Sequence, residues 1–309
     1  MPYREKEFTY ASGDGHSHIA AYLLAPQDGK IRAVLQLAHG MRDYVGRYRE
    51  MAEYLCDAGI AFCGNDHVGH GETARHSEEL GFFGTEDGAD VLLTDMHKLT
   101  LLMRVQYRGT PLFLCGQGFG SLLARMYVCS YFRDIDGLIL SGTGNHPFAG
   151  VGCLVANTVI RRKGANYRSE KMNDWVPGRF NRHFIADPHG FNYLTRNDEK
   201  VARTAADPRC NFTLTASAYY DIFHVAAAVS SKGWARQFPK GTPVLFCTGS
   251  ADPVGHLGRD ARAIAARLRA CGVQDVTEKY YPDARHELHS EACARTYFED
   301  VAAWIGAHL

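Results

Sequence analysis

The sequence predicts an α/β fold in which a mostly parallel central sheet, flanked by helices, is interrupted by a mainly helical insertion. Three observations carry this reading. Short runs that are apolar at consecutive positions, as expected of strands buried on both faces, recur before position 142 and again after position 240. Stretches with helical spacing separate them. From about Thr143 to Lys240 the alternation stops, and the chain reads as helical with no parallel-strand signal.

The chain opens with "EFTYAS" and "HIAAYLLA", two strands joined as a hairpin through the turn "GDGHS". The buried strands "AVLQLA" and "IAFCGND" follow. Between them, "GRYREMAEYLCDAGI" places Tyr48, Met51, Tyr54 and Leu55 on one helical face and stops at Gly59. A second helix covers 90–107, "PLFLC" is the next strand, 120–132 is a helix and "GLILSG" another strand. After the insertion come the strand in "TPVLFCTGS", a helix through "GRDARAIAARLRACG", the strand "DVTEKYY" and a terminal helix. That last helix aligns Tyr297, Val301, Trp304 and Ile305 on one face. Such alternation implies right-handed crossovers and a sheet covered on both sides. The expected division is a first core part, 1–142, a helical cap, 143–240, and a second core part, 241–309. The cap is expected above the carboxyl ends of the strands, where sites in open α/β sheets lie.

Composition narrows the function. Of 309 residues, 46% are apolar, enough for a large core. Lys plus Arg and Asp plus Glu are 34 each, so no basic field invites nucleic acid, and the longest cationic run is Arg161-Arg162-Lys163. The nine cysteines are scattered with no C-x-x-C pair, which fits small hydrophobes in a reduced cytoplasm better than a disulfide scaffold. The N-terminus has no apolar signal core, and no run approaches the ~18 to 20 apolar residues of a membrane span. A cytoplasmic protein is expected.

The sharpest local signal is "GQGFG", residues 116–120. A strand-to-helix turn that presents a nucleophile is so tight that small residues are needed two places before and two places after it. Gly116 and Gly120 meet that spacing, with Gln117 and Phe119 as the inner flanks. The presented position is Gly118, which adopts a strained elbow at least cost but brings no oxygen or sulfur. A dinucleotide-binding turn would need its third glycine one place later and an acidic residue where "GLILSG" ends in Ser141-Gly142. A phosphate-binding loop would need Gly-Lys-Ser or Gly-Lys-Thr. No cofactor is expected.

Asp252 lies just beyond "TPVLFCTGS", in "GSADPVG", and His286 just beyond "DVTEKYYPDA", in "ARHELH". Position 118, then an aspartate, then a histidine, each after a strand, is the chain order of a nucleophile–acid–base triad on such a sheet. His286 would take the nucleophile's proton, while Asp252 fixes the ring tautomer and stabilises the imidazolium. His39-Gly40-Met41 follows "AVLQLA", and the backbone N–H of Met41 paired with that of Phe119 would stabilise a developing oxyanion. Asp66, His67 and His70 suggest a metal cluster, but further ligands at familiar spacings are lacking. "HELH", residues 286–289, is one residue short of the helical zinc motif and follows a Pro282 turn. No metal is expected.

On these residues the chain resembles the monoacylglycerol lipase and lysophospholipase branch of the α/β-hydrolases, sometimes grouped with serine aminopeptidase-like hydrolases. The matching stretches are "HGMRDYVGRY" (39–48), "NDHVGHG" (65–71), "GQGFGSLLAR" (116–125), "GSADPVG" (249–255) and "YPDARHELHSE" (281–291), and Asp207 to Phe212 resembles bacterial cap sequence. The resemblance implies the α/β-hydrolase fold and, as partner, a small-molecule acyl ester or lipid: a monoacylglycerol, a lysophospholipid or a short ester. It places His39, Gly40, Phe148, Val151, Leu154 and Val155 at the substrate. The last four, with Val159, lie at helical intervals in "HPFAGVGCLVANTVIRRKG", read either as a lid that gathers acyl chains or touches a membrane surface transiently, or as an ordinary packed helix.

The family has serine where this chain has Gly118. A serine-bearing form would be acylated and then hydrolysed by water activated through His286. Neither Cys115, in the strand, nor Ser121, within the helix, is placed to substitute. Two accounts stay open. One is a hydrolase whose serine has been replaced, leaving an inactive variant that binds substrate; the other is a natural pseudohydrolase that binds a lipid-like ligand.

Overall fold

The computed structural model describes residues 3–182, 184 and 190–309. A hairpin of β1 (Tyr3–Ala11) and β2 (His18–Pro26) comes first, then β3 (Ala33–Ala38), α1 (Arg49–Asp57), β4 (Ile60–Asn65), α2 (Gly88–Gln106), β5 (Leu112–Gln117), α3 (Phe119–Tyr131) and β6 (Gly137–Ser141). Helices α4 (Ala149–Lys163), α5 (Glu170–Trp175), α6 (Pro177–Asn181), α7 (Asp198–Ala206), α8 (Ala216–Ser230) and α9 (Lys232–Gln237) separate β6 from β7 (Val244–Gly249). The chain closes with α10 (Arg259–Ala270), β8 (Val276–Tyr281) and α11 (Ala294–Gly306).

The strands form one eight-stranded sheet in the order β1-β2-β4-β3-β5-β6-β7-β8. β1 pairs antiparallel with β2, and β2 with β4; every other pairing is parallel. The apolar runs of β3, β4, β5, β6 and β7 are buried at every position, as both-face burial requires. On one face Leu92, Leu99, Leu123, Tyr127 and Leu268 fill the core; on the other, Met51, Leu55, Val301 and Ile305 of α1 and α11 do. Each such side chain contributes about 1.5–3 kcal/mol by leaving water. The expected α/β-hydrolase fold with a helical insertion between β6 and β7 is what the chain adopts.

The insertion is continuous with the main core. Ala218, Tyr219, Ile222, Val225 and Val229 of α8 are buried in the same cluster as the α2 and α3 residues. Arg125 of α3 ties the two together from within. It is fully buried, donates to Gly144 O (2.9 Å) and Val229 O (2.5 Å), and lies 4.3 Å over the Trp234 ring. The Trp234 indole in turn donates to the Arg125 carbonyl at 2.7 Å. Arg125→Ala strands two buried carbonyls and opens a void beside Trp234, so it is expected to destabilise the chain by about 3 kcal/mol. Urea denaturation followed by tryptophan fluorescence measures this.

Candidate active site

β5 leads into the site. The Gly118 N–H donates to Ser141 O at 3.0 Å, which continues the β5–β6 ladder one residue past Gln117. There the backbone turns, with Gly118 at φ 55° and ψ −116°, and α3 begins at Phe119. The turn is tight enough that a Cβ on Gly116 would lie 2.4 Å from Gly120 O, and one on Gly120 only 2.0 Å from Ala38 O. Neither position admits a side chain. The flanks are those of a nucleophile elbow, and Gly118 stands at its apex.

Asp252, in the turn after β7, and His286, in the loop after β8, converge on that apex. His286 Nδ1 is 3.0 Å from Asp252 Oδ2, and Asp252, fully buried, also accepts the Val254 N–H on Oδ1 at 2.8 Å. The His286 loop is held on both sides: its carbonyl accepts from Gln117 Nε2 at 3.0 Å, and the Glu287 N–H donates to Leu194 O of the insertion at 2.7 Å. His286 Nε2 faces position 118, 2.8 Å from where a Cβ would stand. Burial pulls the His286 pKa down, but the facing Asp252 carboxylate more than offsets this and holds it above the ordinary histidine value.

Met41 and Phe119 both line the pocket around Gly118, and neither backbone N–H has a partner among the described residues. Ser121 donates its hydroxyl back to Gly118 O at 2.6 Å, and Cys115 is buried in β5 beside Tyr297. Neither side chain points to His286.

A group the sequence reading missed braces these parts. Asp43 accepts from Gly40 N (3.0 Å), Tyr44 N (2.9 Å), Tyr48 OH (2.6 Å) and Arg47 Nη1 (2.8 Å). Arg47 also grips both carboxylate oxygens of Glu287, at 2.8 and 2.6 Å. Burial opposes both negative charges, yet Arg47 holds the Asp43 and Glu287 carboxyls below their usual range. The signal lay in "RDYVGRY" and in the Glu of "HELH". In that second motif His289 packs 4.1 Å from the Tyr48 ring, its pKa pushed down to about 4 by burial.

Above the elbow lies a cavity of about 350 Å³. Gly40, Leu122 and His286 form its base, and Phe148, Trp175 and Phe223 are among its upper walls. Four expected substrate residues need correction. His39 is buried outside the cavity: its Nδ1 bonds Gly40 O at 2.9 Å and its Nε2 accepts the His67 N–H at 3.0 Å, so it ties the loop after β3 to the one after β4. Val151, Leu154 and Val155 do not line the cavity but face outward, 55%, 68% and 39% exposed. The inner face of α4 is Ala149, Gly152 and Ala156, because α4 packs closely on α8; a Cβ at Gly152 would fall 2.5 Å from the Phe223 ring. Trp175, Phe223, His146 and His256 line the cavity without having been singled out.

His67 and His70 have their pKa values pushed down by burial, His70 to about 3, and their rings pack with His39. Among the described residues no group of three or more His, Cys, Asp and Glu side chains is arranged to hold a metal ion.

An elbow on a mostly parallel sheet, an Asp–His pair aimed at its apex and two free N–H groups beside it define the α/β-hydrolase class. The family described as "Serine aminopeptidase, S33" matches residues 29–292, and the chain belongs to it. Human monoglyceride lipase is 24% identical over 281 residues, covering 90% of this chain and 83% of the human one. The monoacylglycerol lipase of Mycolicibacterium smegmatis is 25% identical, covering 90% and 89%. Among solved structures, a thermostable carboxyl esterase from Bacillus coagulans in complex with glycerol superposes with a TM-score of 0.92 at 27% identity, over 99% of both chains.

The Asp252–His286 pairing has a direct check. By NMR titration, His286 should titrate above the unperturbed value of about 6.5. Asp252→Asn removes the raising charge but leaves the burial, so the His286 pKa should fall below that value. The stability contributed by the pair is fully present below the unfolded-state pKa and is lost as pH rises through the folded one.

Proposed function

We propose that this chain binds acyl esters of the monoacylglycerol type in the cavity above Gly118 and, as it stands, forms no acyl-enzyme. The observation that carries this is that His286 Nε2, oriented by Asp252, is directed at an elbow residue with no nucleophilic atom. The similarity to monoglyceride lipases and esterases supports the substrate class, and the apolar upper walls of the cavity supply a place for the acyl tail. Removing a triad member leaves a residual rate only ~10³ to 10⁴ over the uncatalysed reaction, which ordinary assays do not register.

Gly118→Ser tests the reading. The new Cβ would meet His286 Nε2 at 2.8 Å, so the ring must withdraw by a few tenths of an ångström, after which the hydroxyl lies within its reach. Hydrolysis of monoacylglycerols and p-nitrophenyl esters is expected to rise by a factor on the order of 10⁴ or more. A serine form that stays inert across acyl lengths, while the glycine form binds lipid tightly, favours instead a pseudohydrolase with no hydrolytic counterpart.

We also propose that α4 rests on lipid surfaces. Its outward stripe of Phe148, Val151, Leu154 and Val155 is exposed, and Arg161, Arg162 and Lys163 end the helix, the pattern of an interfacial helix. Among the described residues no helix is long and apolar enough to cross a membrane. Val151→Glu with Leu154→Glu should reduce sedimentation with anionic vesicles severalfold. Binding of a short-chain glyceride should be unchanged, because neither residue lines the cavity.

A further inference from the structure

Glycine at the elbow does more than remove a nucleophile; it changes what the base of the cavity can hold. The point where a Cβ would stand is 2.8 Å from His286 Nε2. That separation is too short for carbon but is an ordinary N···O hydrogen-bond distance. His286 Nδ1 is committed to Asp252, while Nε2 has no hydrogen-bond partner among the described residues, although His286 is only 8% exposed. Met41 and Phe119, whose N–H groups have no partner among the described residues, line the same pocket, and Phe119 opens the 13-residue helix α3, whose positive end favours an anion. Donors on three residues, Met41, Phe119 and His286, therefore border one pocket. Its walls also include Leu122, Val176, Phe223 and Ala226.

A planar head with two unsubstituted oxygens and one apolar tail matches this arrangement better than an ester. An ester has one carbonyl oxygen to give, its second oxygen carries the alcohol, and it has no charge for the donors to meet. Charge-assisted hydrogen bonds are roughly twice as strong as neutral ones. We infer that the glycine elbow is a carboxylate-binding site for unesterified long-chain acids, with one oxygen over Gly118 against His286 Nε2 and the other on the Met41 and Phe119 N–H groups. This rests on the acyl-cavity reading proposed above. A serine side chain would take the oxygen's place, so the preference belongs to the glycine form.

The surrounding charges permit it. Asp252 lies at the far nitrogen of the imidazole, and Tyr193 of the insertion faces the ring with centroids 6.2 Å apart. Asp43 and Glu287 also border the cavity, but Arg47 bridges their carboxylates. His146, His256 and Arg179 complete the titratable lining from the loop after β6, the loop before α10 and α6. The Asp252 carboxylate holds the His286 pKa above the ordinary value, so the imidazolium persists where a carboxylic acid is already ionised. The attraction is lost as pH rises through the His286 pKa.

Isothermal titration of the unmodified chain with dodecanoate and with 1-monododecanoylglycerol, each below its aggregation concentration, tests the inference. Dodecanoate affinity should fall by roughly tenfold or more from about pH 6 to about pH 9, while the glyceride's stays level. His286→Gln keeps a hydrogen-bonding group but not the charge, so it should flatten the dodecanoate profile. A glyceride that binds while dodecanoate does not, or a dodecanoate profile as flat as the glyceride's, overturns the inference and leaves the acyl-ester reading in place. Failure of both to bind overturns the two together.

Discussion

The first turn of α3 lies against the end of β3 so closely that only glycine fits at position 120. Everything at the site follows from that contact. It brings the Phe119 N–H beside the loop that carries Met41, and it puts residue 118 at the apex of the turn rather than on its flank. Two further loops, after β7 and β8, then need only lie at the same end of the sheet for Asp252 and His286 to meet there. Parallel strand order supplies this, because consecutive strands end on the same edge.

A constellation drawn from four loops needs a common anchor, and Arg47 provides it. Through Asp43 it fixes the backbone at Gly40, beside Met41, and through Glu287 it fixes the residue next to His286. Buried charges of this kind cost several kcal/mol to desolvate unless fully paired. Here two carboxylates share one guanidinium, and backbone amides and Tyr48 satisfy the remaining oxygens of Asp43. None of these contacts involves residue 118.

How much of this could be read beforehand depended on range. β3 to β7 were legible because both-face burial leaves an unbroken apolar run, and the elbow was legible because its glycines answer a steric demand local to five residues. Asp252 and His286 were legible by chain order after strands. Side-chain partnership across 240 positions, as between Arg47 and Glu287, leaves no periodicity to read. The α4 face was misassigned for a different reason. Large apolar residues at helical spacing normally turn inward, but here the neighbouring helix comes so near that the small residues Ala149, Gly152 and Ala156 take the inside. Close packing overrode hydrophobicity.

That near approach gives the cavity two walls of unlike stiffness. α8 is part of the main core, so its face of the cavity moves apart only when the sheet itself unfolds. The opposite side is built from α5 and α6, helices of six and five residues, next to a small separate cluster of Phe191, Tyr193, Leu194 and Val201. Short helices with their own minor core are the parts of a chain that open at low cost. The face on α8 is therefore the stiffer wall of the cavity, and the face on α5 and α6 the one that yields at lower cost.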